Sequence, residues 1–232
     1  MNYEIAQGIH TIGKVVMKGD KRFSFLAYLL HGEANVLIDT VPLRSAAMLL
    51  GAIEDRLGTE PLDAIIANHS EEDHSGALAA VLAAHPGTPV FGTEACKRRL
   101  GDVVPEGTFH VVHSGDSLEI GEYQFSFLET PGLHWDDNMV TFYHNEGILF
   151  SNDLFGQRAA AEPITDAAYT ESDLLQAADA YYTAVFAAAS PEEKQVVNQI
   201  AQLPLQMIAP GHGVVLQEKW PAVLDLYQKK LH

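Results

Sequence analysis

The sequence predicts an α/β (α+β) chain folded as a four-layer αββα sandwich, two packed sheets covered by helices on both outer faces. Two observations predict it. Strand-like runs give way to segments of helical period twice along the 232 residues, so two halves, each strands first and helices after, follow one another. In the middle, the short apolar runs LDAIIA and TPVFG each precede a helical pattern, so strand and helix alternate there.

The chain opens with Ile9 to Val16, Phe23 to Leu30 and Ala34 to Ile38, separated by Gly and charged residues, which read as an antiparallel β meander. From Pro42 to Leu57 the apolar Ala46, Leu49, Leu50, Ile53 and Leu57 fall at helical spacing. Pro42 stands near the start and Gly58 just past the end, the usual asymmetry of a helix. Leu62 to Ala67 reads as a short buried strand, Ala77 to Ala84 as a helix, TPVFG as a strand and Glu94 to Leu100 as a helix. Four further strands are expected around Phe109 and over Tyr123 to Leu128, Met139 to His144 and Ile148 to Phe150. Helices over Ser172 to Ala188 and Pro191 to Gln202 follow, then a strand at Leu205 to Ala209, a Gly-rich turn and a helix over Glu218 to Leu231. No linker, repeat or low-complexity stretch interrupts this order, so residues 1–232 read as one domain.

Charge narrows the function. With 14 Lys plus Arg against 31 Asp plus Glu, the formal charge of −17 argues against a nucleic acid or an anionic membrane surface as partner. Carboxylates bound to cations would neutralise part of that excess. Cys96 is the single cysteine, so no intrachain disulfide can form. The N-terminal MNYEIAQGIH lacks a basic stretch followed by an apolar core. No segment reaches the roughly 18 consecutive apolar residues a membrane span needs, and a soluble cytoplasmic protein is expected.

The densest chemistry is Asn68-His69-Ser70-Glu71-Glu72-Asp73-His74-Ser75-Gly76, between the LDAIIA strand and a helix. His69, Glu71, Asp73 and His74 are four potential metal ligands within six residues, and an irregular loop lets them converge on one point from different directions. A helix N-cap accounts for one such residue, not four. His134 in TPGLHWDDNM, Asp153 in GILFSNDLFG and His212 in MIAPGHG each follow a strand-like run and bring the set to seven. Seven groups exceed what one tetrahedral ion takes, and four His with three carboxylates suit two ions sharing a carboxylate. Zinc hydrolases of the metallo-β-lactamase superfamily carry H-x-H-x-D-H. Here Glu71 takes the second position, and an anionic oxygen ligand favours a harder ion, iron over zinc.

H-x-E-x-D-H followed by TPGLHWDDN, LFSNDLFGQ and APGHG resembles the diiron domain of the flavodiiron proteins, which has the metallo-β-lactamase fold, over nearly the whole chain. The resemblance implies two Fe ions, one held by His69, Glu71 and His134, the other by Asp73, His74 and His212, with Asp153 bridging them. It implies binding and reduction of O2 to water, of NO to N2O, or of both. The family continues into a flavodoxin-like module carrying FMN, whereas this sequence ends at His232, so no FMN is expected within the chain. Electrons are then expected from an external donor such as a rubredoxin, a flavodoxin or a flavin reductase, and whether the chain forms a homodimer stays open. Arg158 stands where the family usually has histidine, and Gly211 where it usually has serine. Trp135, Tyr28 and Phe155 are candidates for the pocket wall, though core packing accounts for each. Two other readings stay open: an oxygen sensor or carrier that does not turn over, and a dizinc hydrolase, which Glu71 disfavours.

Overall fold

The computed structural model describes residues 2–18 and 21–230. The chain begins with β1 (Asn2–Ala6), β2 (Ile9–Lys18), β3 (Lys21–His31) and β4 (Asn35–Ile38), the antiparallel meander expected from the alternation. A 3-10 turn over Leu43–Ser45 leads into α1 (Ala46–Leu57), which stops at Gly58. Then come β5 (Ala64–Ile66), α2 (Glu72–Ser75), α3 (Leu78–Ala84), β6 (Val90–Gly92), α4 (Glu94–Leu100) and β7 (Phe109–Val111). Strands β4 to β7 pair in parallel, which is why helices must separate them in sequence. The first sheet therefore has seven strands in simple chain order.

The second sheet comprises β8 (Ser117–Ile120), β9 (Tyr123–Glu129), β10 (Met139–Tyr143), β11 (Ile148–Asn152) and, after α5 (Glu171–Val185), α6 (Pro191–Lys194) and α7 (Val196–Ile200), β12 (Met207–Pro210). Its order is β12-β11-β10-β9-β8, and α8 (Trp220–Lys229) follows. One apolar cluster runs from between the sheets, around Tyr28, Phe125 and Phe150, to the underside of α5, α7 and α8. A second lies between the first sheet and α1, α3 and α4. These are the four layers that the sequence predicts.

Three differences have physical causes. β1 and β8 carry mostly exposed or half-buried residues, so neither shows the apolar run by which the other strands are recognised. The helix expected over Pro191 to Gln202 is two short helices. A capping box of Ser190 and Glu193 starts α6, and three-residue hydrogen bonds on either side of Gln195 tighten the chain before the buried β-branched pair Val196 and Val197. The last helix starts at Trp220 instead of Glu218, and its expected end at Leu231 lies outside the described residues.

The ends of β4, β5, β11 and β12 meet at one rim of the sandwich. Asp39 N–H donates to Ile66 O at 2.8 Å, Met139 N–H to Asn68 O at 3.0 Å and Leu26 N–H to Gly211 O at 2.9 Å, and the last two bonds join one sheet to the other. Among the described residues no helix is long and apolar enough to cross a membrane.

Candidate metal centre

Asn68 and His69 leave the end of β5, and Glu71 precedes α2, so Asp73 and His74 stand on a single helical turn where the sequence suggests an irregular loop. Ser75 closes that turn by donating from Oγ to Ser70 O and Glu71 O at 2.6 and 3.0 Å. Thr40 holds its far side, donating from both N–H and Oγ1 to His74 O at 2.7 and 2.8 Å. His134 lies in the loop between β9 and β10, Asp153 just past β11 and His212 just past β12.

The four non-glycine residues with positive φ among those described are Asp39, His134, Asn152 and Phe155. All four are at or beside this rim. Such backbone costs of order 1–3 kcal/mol per residue and persists only where surroundings enforce it.

All seven sequence-predicted residues come together in two adjoining groups, within each of which the potential ligand atoms lie within 4.8 Å of one another. One is His69, Glu71, His134 and Asp153, and the other is Asp73, His74 and His212. In the first, His134 Nε2 is 2.9 Å and His69 Nε2 3.4 Å from Glu71 Oε2. In the second, Asp73 is 3.6 Å from His74 Nε2 and 3.5 Å from His212 Nε2. Asp153 faces both, with Oδ2 3.7 Å from His69 Nε2 and Oδ1 3.4 and 3.1 Å from His74 and His212 Nε2. His69, His74, Asp153 and His212 are buried, while Glu71, Asp73 and His134 form a half-open mouth.

The residues fit metal ions on a direct test. His69 Nε2, His74 Nε2, Asp73 Oδ1 and Asp153 Oδ2 are buried without a hydrogen-bond partner, and these are the atoms turned toward one another. Leaving a buried polar atom unpaired costs about 1–3 kcal/mol, so four in one place call for an explanation, and cations supply it.

Electrostatics in the ion-free protein follow from the same crowding. Burial lowers the His69 pKa, but its hydrogen bond with Asp137 and the nearby Glu71 and Asp153 carboxylates outweigh this and carry it to about 9. Burial acts alike on His74, where the charges of Asp153 and Asp73 prevail and raise it to about 10. The hydrogen bond from His134 and the nearby His69 imidazole pull Glu71 down to about 2. Burial opposes ionisation of Asp153, yet the His74 charge and the bond with His212 hold it well below the carboxylate range. Without ions, the His69 and His74 imidazoles balance the carboxylates by holding protons.

A supporting layer escaped the sequence reading. Asp137 is fully buried, with Oδ1 3.0 Å from His69 Nδ1 and Oδ2 accepting Ser70 N–H at 2.8 Å. Ser24 O lies 2.8 Å from His212 Nδ1, and Tyr181 donates its O–H to Asp153 Oδ1 at 2.9 Å. Asp39 accepts from Asn68 N–H, Asn68 Nδ2 and Asn152 Nδ2. Two signals pointed this way: an acid at the end of an apolar strand (Asp39) and the acid pair after Trp135, which does not reveal which member turns inward. Tyr28 and Phe155 are core residues, whereas Trp135 is half-exposed with its ring 5.0 Å from that of His69 and under the Arg99 guanidinium.

Residues 23–213 match the family model described as ODP family beta lactamase. The chain belongs to that family. This ODP-family chain is 32% identical over 245 residues to an anaerobic nitric oxide reductase flavorubredoxin of Vibrio vulnificus (strain YJ016), covering 98% of the chain and 49% of the relative. It thus spans about half the length of the curated relatives it matches. Among solved structures, the rubredoxin oxygen:oxidoreductase of Desulfovibrio gigas superposes with a TM-score of 0.89 at 25% identity, covering 99% of this chain and 61% of that one. The flavodiiron protein of Giardia intestinalis superposes with a TM-score of 0.92 at 22% identity, covering 100% of this chain and 59% of that one, a likeness of fold.

Proposed function

We propose that the chain is a non-haem diiron protein that binds and reduces O2 to water, NO to N2O, or both, with electrons from an external donor. The observation that carries this reading is the set of orphaned, converging ligand atoms split into two groups that Asp153 faces at once. His69, Glu71 and His134 would hold one ion, Asp73, His74 and His212 the other, and Asp153 would bridge them. Bound iron would pass donor electrons in pairs to a diatomic substrate.

The chain's own residues supply the rest. Three carboxylates facing four imidazoles offset the charge of two cations and favour iron over zinc. Asp137 and Ser24 O fix the His69 and His212 rings through their Nδ1 atoms, so that Nε2 is the free ligand nitrogen of each. Glu71, Asp73 and His134 are half-exposed at the mouth, where a small molecule would enter, and the deeper ligands are buried. The relatives' names, a nitric oxide reductase and a rubredoxin oxygen:oxidoreductase, support both gases and a rubredoxin-type donor; a flavodoxin or flavin reductase would fill the same role. We infer a cytoplasmic protein.

The test is elemental analysis of anaerobically purified protein, followed by O2 and NO electrode measurements with a reductant and mediator. About two irons per chain and sustained gas consumption are expected. Two irons with a stable oxygen-dependent spectrum and no consumption would make the chain a sensor or carrier, and zinc with ester or thioester cleavage would make it a hydrolase.

A further inference from the structure

Arg99, in the last turn of α4, reaches the loop that carries His134, and its guanidinium meets three consecutive residues there. It lies over the Trp135 ring, 4.7 Å from the centroid, and two of its nitrogens stand 2.8 and 2.6 Å from Asp136 Oδ1. Nε is also 3.7 Å from Asp137 Oδ1, the same oxygen that lies 3.0 Å from His69 Nδ1.

The Asp136 pair alone does not account for this arrangement. Arg99 and Asp136 are 42% and 56% exposed, and an ion pair so open to water contributes little to stability. What the pair and the indole do is fix the guanidinium, and with it a charge, beside a carboxylate that is fully buried. Among the described residues, Arg99 is the one Lys or Arg within 4.0 Å of a carboxylate in or behind the metal centre.

Asp137 Oδ1 therefore faces two groups at once. The guanidinium is always charged, so it stabilises the carboxylate charge where it stands and makes Asp137 a weaker acceptor toward His69 Nδ1. A weaker acceptor there leaves Nε2 a poorer donor to a cation.

We propose that Arg99 is a positioning residue that acts through Asp137: it holds a permanent positive charge against that carboxylate and so loosens the grip of His69 on its metal ion. The effect is larger on a ferric than on a ferrous ion, and the centre is thereby easier to refill with electrons. This rests on His69 being a metal ligand, as in the proposed function, and not on which metal it binds.

The test is a cycle of Arg99→Gln, Arg99→Lys, Asp137→Asn and the Arg99→Gln/Asp137→Asn double variant, all in the full chain. Two readouts are taken, anaerobic competition for ferrous iron against a chromogenic chelator and the midpoint potential of the loaded protein. Arg99→Gln is expected to tighten the binding of one ion by about 3–10-fold, a fraction of the 10–100-fold that a group supporting a ligand commands, and to lower the potential. Arg99→Lys keeps the charge and should bind within about twofold of the parent. In the Asp137→Asn background the gain from Arg99→Gln should shrink below about twofold. Unchanged affinity in Arg99→Gln, an undiminished gain without the Asp137 charge, or a Lys variant as tight as the Gln variant would each overturn the proposal. If the parent binds no ferrous iron, the diiron reading fails, while the same cycle with cobaltous ion, followed by its absorption bands, still decides the role of Arg99. A parent that binds neither ion overturns both.

Discussion

Asn152 donates from its side-chain amide to the Asp39 carboxylate at 3.0 Å, across 113 residues of sequence. The same carboxylate accepts the Asn68 backbone N–H at 2.7 Å and its side-chain amide at 3.1 Å. Asn68 precedes His69 and Asn152 precedes Asp153, so one buried carboxylate sets the spacing of two ligand-bearing loops from different sheets. Burial raises the Asp39 pKa, opposed by the His74 charge and these amide donors.

Asp39→Ala leaves three buried donors without their acceptor. Hydrogen bonds to charged groups are worth roughly 1.5–3 kcal/mol each, and their losses are not additive, so a destabilisation of about 3 kcal/mol or more is expected. Urea unfolding measures it. A change under about 1 kcal/mol would show that the loops hold their spacing without Asp39.

Asp137→Asn keeps shape but removes the charge that faces His69 Nδ1. Partners of this kind fix ring orientation and ligand basicity, and their loss costs about 10–100-fold in metal affinity. Competition against a chromogenic chelator is the measurement, and an affinity within twofold of the parent would dismiss the role. Because Asp137 also accepts Ser70 N–H, some loss of stability should accompany the substitution.

The layers and the seven candidate ligands were legible because both express local pattern: period along an element, and ligand-type residues where strands end. Asp137, Asp39, Ser24 and Tyr181 were not legible, since each acts on a residue between 28 and 188 positions away. The positive φ of His134 and Asn152 was hidden too, because neither is glycine and only tertiary packing enforces that backbone.

Tyr181→Phe removes the O–H that donates to Asp153 Oδ1 and leaves the buried ring in place. A change of about 1–3 kcal/mol in apoprotein stability is expected, the usual size for a hydrogen bond to a charged acceptor. In the loaded protein the absorption spectrum should shift, because Asp153 is the group facing both metal positions. An unchanged spectrum would separate Tyr181 from the centre and leave it a packing residue.

Metal loading should stabilise the protein more as pH rises. In the ion-free state His69 and His74 titrate at about 9 and about 10, above their ordinary 6.5. Groups whose pKa is raised by folding stabilise fully below the unfolded value, and that contribution is lost as pH climbs from about 6.5 through 9 to 10. Glu71, lowered from 4.5 to about 2, contributes above its unfolded value and loses its effect as pH falls toward 2. As far as these groups decide it, ion-free stability therefore peaks between roughly pH 4.5 and 6.5. Metal binding needs neutral imidazoles, so loading at pH 8 must displace the protons on His69 and His74, close to two per chain, and the gain in Tm on loading should widen from pH 6 to pH 9. Calorimetric titration of ferrous iron in buffers of different ionisation enthalpy counts the protons. A count near zero at pH 8, with a flat ion-free Tm between pH 6.5 and 10, would mean that these imidazoles are already neutral without metal and that the carboxylates are balanced in some other way.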